Sequence, residues 1–381
     1  MNTTRKYYRI SLPTFGFLIF LFCAAAFAQQ PIGAGTVTVH SALGGMIFGF
    51  DIDQNGTEGI LTEAQTVSGG KTLNAIETFD QATGAIISIV KQTETKDEDV
   101  TLGIVNKSVG LIEHEHVPFL YVTARTYHLI TPVSGNKLDG IWSPPLDKNA
   151  IITQVSRTQG TANVGVFAFE NGGTNASFVF SADPAKNLTG PFVTLTDSVF
   201  QNGDSPVMAY DSVTNSAVLS ASTGAVGGPP PKVAVADLTK GTVTEFTGVG
   251  AGFVNGIAVD SADGVACTTT ELDVNVEFYN LAAKTGFVIR LPNATNQIQS
   301  GADVEFDAVH KWFFVAQPVS STASGSSIYV FDPQGNLIET LDGFNFSNAS
   351  TVIPVHIALN PGNRTGYVDG PDGTQLQSFT Y

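Results

Sequence analysis

Cysteine is nearly absent. The chain has two, Cys23 and Cys267, and Cys23 falls in a leader segment described below. The thiol that remains has no intramolecular partner, which excludes a disulfide framework and a cysteine zinc cluster. Cys267 reads as a small buried strand residue within Gly264-Val265-Ala266-Cys267-Thr268. Histidine is also scarce, six in 381 residues, which leaves little room for a Ser-His-Asp triad. There is no Gly-x-Ser-x-Gly elbow, no phosphate-binding glycine loop and no His-Glu-x-x-His. Basic residues are few, 18 Lys and Arg against 34 Asp and Glu. Helical periodicity is missing from nearly the whole chain.

The one long apolar run lies at the start. Arg5, Lys6 and Arg9 precede an apolar stretch whose densest part spans residues 15–28 and ends in Ala26-Phe27-Ala28, a small-x-small cleavage pattern before Gln29-Gln30-Pro31. Residues 1–28 therefore read as an export signal. The run is shorter than the roughly 20 residues a membrane span needs, which argues against a retained anchor. Bulky Phe22 before Cys23 argues against lipid attachment. Removing the leader takes away three basic residues and leaves 15 against 34 acidic ones, a net charge of −19. Nucleic acid and anionic membrane surfaces are repelled by such a field and are excluded as partners. The expected location is periplasmic or extracellular, and the mature chain is expected to be a monomer.

Residues 29–381 read as one all-β domain. Short runs of Val, Ile, Phe and Thr are broken by Gly, Asn, Asp and Pro every eight to twelve residues, the pattern of a sandwich, barrel or propeller. A longer period decides among them. An apolar strand ending in an acid or amide recurs as Val207-Met208-Ala209-Tyr210-Asp211, Gly256-Ile257-Ala258-Val259-Asp260, Val304-Glu305-Phe306-Asp307 and His356-Ile357-Ala358-Leu359-Asn360, about fifty residues apart. A second recurring unit is a hairpin with an acid or amide and a later glycine: Phe79-Asp80 with Gly84, Ala236-Asp237 with Gly241, Tyr279-Asn280 with Gly286, and Phe331-Asp332 with Gly335. In each, the Asp or Asn closes the turn and the Gly supplies positive φ. Together they describe a four-stranded propeller blade, with further starts near Ile47, Leu102 and Ile151. Seven blades fit the length, and six with long insertions is the alternative. Residues 36–40 form a spare N-terminal strand that would complete the last blade and close the ring. The Gly227-Gly228-Pro229-Pro230-Pro231 stretch reads as a stiff loop within a blade.

These hairpins, with the run Asn255-Gly256-Ile257-Ala258-Val259-Asp260-Ser261-Ala262-Asp263-Gly264, resemble the NHL-repeat and gluconolactonase-like propellers of the senescence marker protein type. In that family an Asn-Gly-apolar-Ala start gives its Asn to a central divalent cation, usually calcium. The resemblance implies Asn255 as a metal ligand, joined by Asp204 and Asp303, which precede the inner strands of neighbouring units. Such an ion could polarise a lactone carbonyl. The family's first-blade Glu motif is not recognisable around Gly45 to Phe50. The alternative is that Asn255 and the two Asp side chains cap turns. No cofactor is required by the residues themselves, and calcium enters only through the resemblance.

Two further patterns carry weaker chemistry. Glu113-His114-Glu115-His116 would place two His on one strand face, as a transition metal requires, or form a polar loop before Val117-Pro118-Phe119. Asp51-x-Asp53-x-Asn55-Gly56 starts like a calcium loop, but Glu63 falls one place late for an EF-hand. Asn55-Gly56 between apolar runs is the signature of a tight hairpin instead. Trp142, Trp312 and Phe313 are expected in the core. The functional expectation is an exported binding or scaffold module for a protein, peptide or glycan. The alternatives are a calcium-dependent lactonase-like hydrolase with its site at the pore, and a structural role in the cell envelope.

Overall fold

The computed structural model describes residues 34–52, 57–67, 71–95, 127–131, 137–142, 150–157, 165–171, 176–183, 188–200, 206–222, 228–251, 253–271, 275–292, 303–317, 326–344, 355–370 and 373–381. The leader and the expected Leu102 blade start lie outside them. Strand β1 (Ala34–His40) precedes a sheet built in chain order from β2 (Met46–Ile52), β3 (Glu58–Val67), β4 (Lys71–Asp80) and β5 (Ile86–Thr95). β6 (Tyr127–Thr131) pairs with β7 (Lys137–Trp142). β8 (Ala150–Arg157), β9 (Gly165–Asn171) and β10 (Ala176–Asp183) follow, with the short β11 (Leu188–Thr189) and β12 (Val193–Thr194) both against β10.

The next three sheets are regular. They comprise β13 (Val207–Asp211), β14 (Ser216–Ala221), β15 (Lys232–Asp237) and β16 (Thr242–Thr247); β17 (Phe253–Asp260), β18 (Val265–Glu271), β19 (Asn275–Asn280) and β20 (Thr285–Arg290); and β21 (Asp303–Asp307), β22 (Trp312–Gln317), β23 (Ser326–Phe331) and β24 (Leu337–Phe344). β25 (Ile357–Asn360), β26 (Thr365–Asp369) and β27 (Gln375–Thr380) make a last sheet whose outer place is taken by β1, in the order β1-β27-β26-β25. Residues 38–40 of β1 pair antiparallel with 377–375 of β27. In the six larger sheets the first strands touch one another in the order β8, β13, β17, β21, β25, β2. This is a β-propeller. Six of the expected blade starts, at Ile47, Ile151, Val207, Gly256, Val304 and His356, fall in or directly before such a first strand.

The packing explains the pattern of residues. A middle strand has a neighbouring sheet on both faces, so Ser216 to Ala221 of β14 are all buried, whereas the outer β16 alternates between exposed and half-buried positions. Alternation along one strand feeds two cores. Ala217 and Leu219 pack with Val179, Phe200 and Met208 of the preceding face, while Val218 packs with Val254, Ile257 and Tyr279 of the next sheet. Phe278, Phe313 and Phe331 fill the following gap together with Cys267, and burial pushes that thiol up. A buried Phe contributes about 1.5–3 kcal/mol by area, so these inter-sheet clusters carry much of the stability. Phe313 is in the core as expected, Trp312 is half-buried, and the Trp142 side chain lies outside the described residues. No helix among the described residues is long and apolar enough to cross a membrane.

One turn type is used repeatedly. Among the described residues Asp80, Asp211, Asp237, Asp260, Asn280, Asp307, Asp332 and Asn360 each accept, on one side-chain oxygen, backbone N–H groups from two to four residues later. The chain then leaves through a left-handed residue. Gly84, Gly241 and Gly335 fill that place as expected, with φ between 70° and 80°. The Asn280 hairpin differs from expectation: Lys284 takes the positive φ, 57°, and Gly286 sits inside β20. A Cβ on Gly286 would come within 2.7 Å of the Tyr279 ring, so close packing is the reason for that glycine.

Candidate functional site

In an up-and-down sheet the first-to-second and third-to-fourth turns share one end. All the Asp and Asn turns therefore line one rim of the propeller, and the starts of the first strands line the other. The inner strands surround a central cavity of about 110 Å³ that runs from that second rim, at Asn255, Asp303 and His356, along the strands past Glu305 to Asp51 and Tyr210, with Phe50 beside them.

Asn255 is placed by a bulge. Val254 pairs with Thr270 and Gly256 with Thr269, so Asn255 is the extra residue with no cross-strand partner in β18. Gly256 makes the bulge compatible with the next sheet. A Cβ there would lie 2.8 Å from both Asp303 Oδ1 and Thr269 Oγ1, so only glycine lets β17 and β21 approach this closely. The Asn255 Nδ2 donor is buried and meets no acceptor among the described residues.

Asp303 ties two sheets together. Its Oδ1 accepts from the Val304 N–H at 2.8 Å and its Oδ2 from the Ile357 N–H at 3.1 Å. Burial pushes its carboxyl up to about 7, against the opposing effects of His356 and of these two N–H groups, and Glu305 adds to the rise. His356 is held by Asp369, whose Oδ2 accepts from the His356 N–H at 2.8 Å and lies 3.0 Å from Nδ1. The Phe50 ring meets the imidazole edge-on at 6.2 Å. The mouth thus offers an amide donor, a carboxyl balanced near neutrality and a fixed imidazole.

The three residues singled out from the sequence fare differently. Asn255 and Asp303 come together at the mouth. Asp204 lies outside the described residues, as does the Glu113-His114-Glu115-His116 run. Asp303 spends its oxygens on the adjacent Val304 N–H and on Ile357 of the next sheet rather than on a turn. The hairpin reading of Asn55-Gly56 agrees with the pairing of β2 and β3 around it, although the tip itself lies outside the described residues. Asp51 belongs to β2, where its Oδ1 accepts from the Ile52 N–H at 2.7 Å. Calcium takes six to eight oxygen ligands. Both Asp303 oxygens are engaged by backbone, and among the described residues no three His, Cys, Asp or Glu side chains gather as for a metal.

Some buried polar groups escaped the sequence reading. Glu63, Glu77 and Glu277 are all inside, and Glu277 Oε2 accepts from Thr268 Oγ1 and the Tyr279 hydroxyl at 2.7 and 3.0 Å. A signal for Glu77 exists. It stands in phase with Ala75 and Phe79, both buried, along β4.

Fold and site define a β-propeller with a polar mouth at one rim. No protein-family profile matches the chain, and no curated protein does. Solved structures do. The Dos1 propeller matches with a TM-score of 0.58 at 7% identity, over 92% of this chain and 95% of the other. The Cps50 (Swd1) β-propeller domain of Myceliophteria thermophila matches at 0.54 and 9% identity, over 92% and 100%. The Neurospora crassa Pan2 WD40 domain matches at 0.55 and 12% identity, over 92% and 96%. At such identities the likeness shows the fold alone. None of the three is named as an NHL-repeat or gluconolactonase-like protein, so that narrower resemblance rests on the sequence motifs.

Proposed function

We propose that the chain is exported and works as a binding or scaffold propeller that receives a protein or peptide at the rim bearing Asn255, Asp303 and His356. In this reading β1 closes the ring. The observation that carries it is the cavity itself, polar, walled by rigid inner strands and about 110 Å³ in volume. Drug-sized ligands occupy sites of roughly 300–1,000 Å³, so this mouth suits one inserted side chain better than a whole sugar ring. WD40-type propellers of the same fold are typical protein-interaction modules, which supports the choice of partner.

The test is selection of displayed random peptides on the mature chain, counter-screened with Asn255→Trp, which plugs the mouth. Peptides lost on Asn255→Trp, with melting temperature kept, support the reading. Peptides that bind both proteins equally, or none at all, overturn it. A second reading, a calcium-dependent lactonase-like hydrolase, is favoured by the juxtaposition of Asn255 and Asp303. It requires a rise in melting temperature from excess EDTA to millimolar calcium, by roughly RT ln(1 + [L]/Kd) or about 2.7 kcal/mol at a hundredfold excess, and loss of that rise in Asn255→Ala. The binding reading expects no shift.

A further inference from the structure

Residues 41–45 carry the chain from β1, on the outside of the last sheet, to β2, on the inside of the first. They cross two buried glutamates. Glu63 is 1% exposed and Glu77 is fully buried. Glu63 pairs with Ala75 and Leu61 with Glu77, so the two acids are diagonal neighbours on one face of the sheet. The Leu43 and Gly45 N–H groups donate to Glu63 Oε1 and Oε2 at 2.8 and 2.9 Å, and the Ala42 N–H donates to Glu77 Oε2 at 2.9 Å. Glu77 Oε1 is buried and receives no N–H or O–H among the described residues, and the amides of residues 42, 43 and 45 hold both carboxyls under one short segment.

Two charged carboxylates buried on one face of the sheet repel each other, and a single proton between them supplies both the missing donor and the charge relief. Among the described residues no other side chain bonded to the pair replaces it. Residues 41–45 carry no ionisable side chain, and His40 is exposed. Asp51 of β2 stands across from Ile60, and Glu58 pairs with Asp80 at the far end of the strands. The last sheet packs on this face through Ala358, Tyr367 and Leu376, and there His356 and Asp369 are bonded to each other.

We infer that Glu63 and Glu77 share one proton and form an acid-set latch on residues 41–45, closed while the pair is singly charged and opened when the last proton leaves. Burial beside Glu63 pushes the Glu77 carboxyl up to about 8 from an ordinary 4.5. Its proton is held more tightly in the folded protein than in the unfolded chain. The stabilisation is therefore complete below pH 4.5 and is lost as pH rises through about 8.

The experiment is amide hydrogen exchange of Ala42, Leu43 and Gly45 in the mature chain at pH 6 and pH 9, corrected for the intrinsic rate. The opening constant of these three amides should rise about tenfold or more, since one unit of titration is tenfold, while β14 amides stay level. In Glu77→Gln, whose amide keeps a donor for Glu63 and an acceptor for Ala42, the rise should vanish. A flat wild-type profile, or an equal rise in Glu77→Gln, overturns the latch. If Glu77→Gln does not fold, Asp303→Asn is used, because it removes the other raised carboxyl named above. Its infrared spectrum should keep a protonated-carboxyl stretch at pH 7 that fades by pH 10. Absence of that stretch at pH 7 also overturns the latch.

Discussion

The two rims of the propeller are built on different principles. On the turn rim the links are short and local, residues 212–215, 238–241, 261–264, 281–284, 308–311 and 361–364, each folded around its own Asp or Asn. Neighbouring turns are also joined. Ser212 N–H donates to Ser261 Oγ at 3.0 Å, Lys311 Nζ to Asp263 at 2.7 Å, Asn360 Nδ2 to Gln81 Oε1 at 3.1 Å and the Tyr381 hydroxyl to Asp307 at 2.9 Å. At the mouth rim the connections vary in length, short between β3 and β4 and between β18 and β19 but longer between β14 and β15, β20 and β21, β22 and β23, and β24 and β25. There the polar groups point at the cavity, and Asp303 to the Ile357 N–H is a bond from one sheet to the next. One rim spends its polar groups on backbone, and the other keeps a donor, Asn255 Nδ2, unengaged by described protein. Loops carried on a scaffold of strands are where binding residues commonly sit.

Both rims belong to one continuous ring if β1 closes it, and deleting Thr36 to His40 tests that closure first. The deletion bares the edge of β27 and removes Val39 from a core shared with Ile47, Phe79 and Leu376. A fall in melting temperature of about 10 °C or more, on the order of several kcal/mol, is expected. A melt unchanged by the deletion would show that β1 does not close the ring.

The rims themselves are set against each other by two alanine substitutions. Asp307 is fully buried and accepts from the Val309 and His310 N–H groups and the Tyr381 hydroxyl, with His310 Nδ1 at 2.6 Å. Asp307→Ala strands those donors and should cost about 3–5 kcal/mol while leaving peptide capture at the far rim intact. Asn255→Ala deletes a bulge residue whose donor has no described acceptor, so its cost should stay under about 1 kcal/mol, while capture is lost. Denaturant titration of both proteins decides. If Asn255→Ala proves the costlier change, Asn255 is a structural residue and the mouth is no site.

The turn rim was legible in the sequence because its chemistry is local. Asp80, Asp237 and Asp332 bond within their own hairpins, so an acid and a later glycine in a stretch of chain say nearly everything about the turn. The mouth was legible only as positions. Asn255-Gly256 announced something particular, but the bulge depends on register with β18, and the role of Gly256 depends on Asp303 in another sheet. The partner of Asp303 Oδ2 is an amide 54 residues away, a pairing that no local pattern encodes. Glu63 and Glu77 are hidden for the same reason. Each looks like an ordinary strand acid until strand pairing sets them diagonally and residues 41–45 cover them. The Asn280 hairpin shows the opposite limit, because a glycine lies within reach of the turn while Lys284 supplies its left-handed residue.

Lys284 also gives the smallest and cleanest test of whether the turn rim is a matter of backbone alone. Its φ of 57° is one that glycine adopts without strain and that an L-residue adopts at a penalty. Glycine carries its own entropic cost in the unfolded chain, so Lys284→Gly should stabilise by about 0.5–1 kcal/mol, a rise of about 1–2 °C in melting temperature. Lys311 has the same geometry, φ 59°, but its Nζ also reaches Asp263. Arg364, φ 54°, lies over the Trp312 ring with its guanidinium carbon 5.8 Å from the centroid. In those two the lost contact offsets the relief, and glycine should bring little change or a small loss. The order of the three melting temperatures is the result to read, with Lys284→Gly highest. Were Lys284→Gly to melt below the wild type, the lysine side chain would be contributing to the turn, and the contrast between a backbone-built rim and a side-chain-built mouth would have to be drawn less sharply.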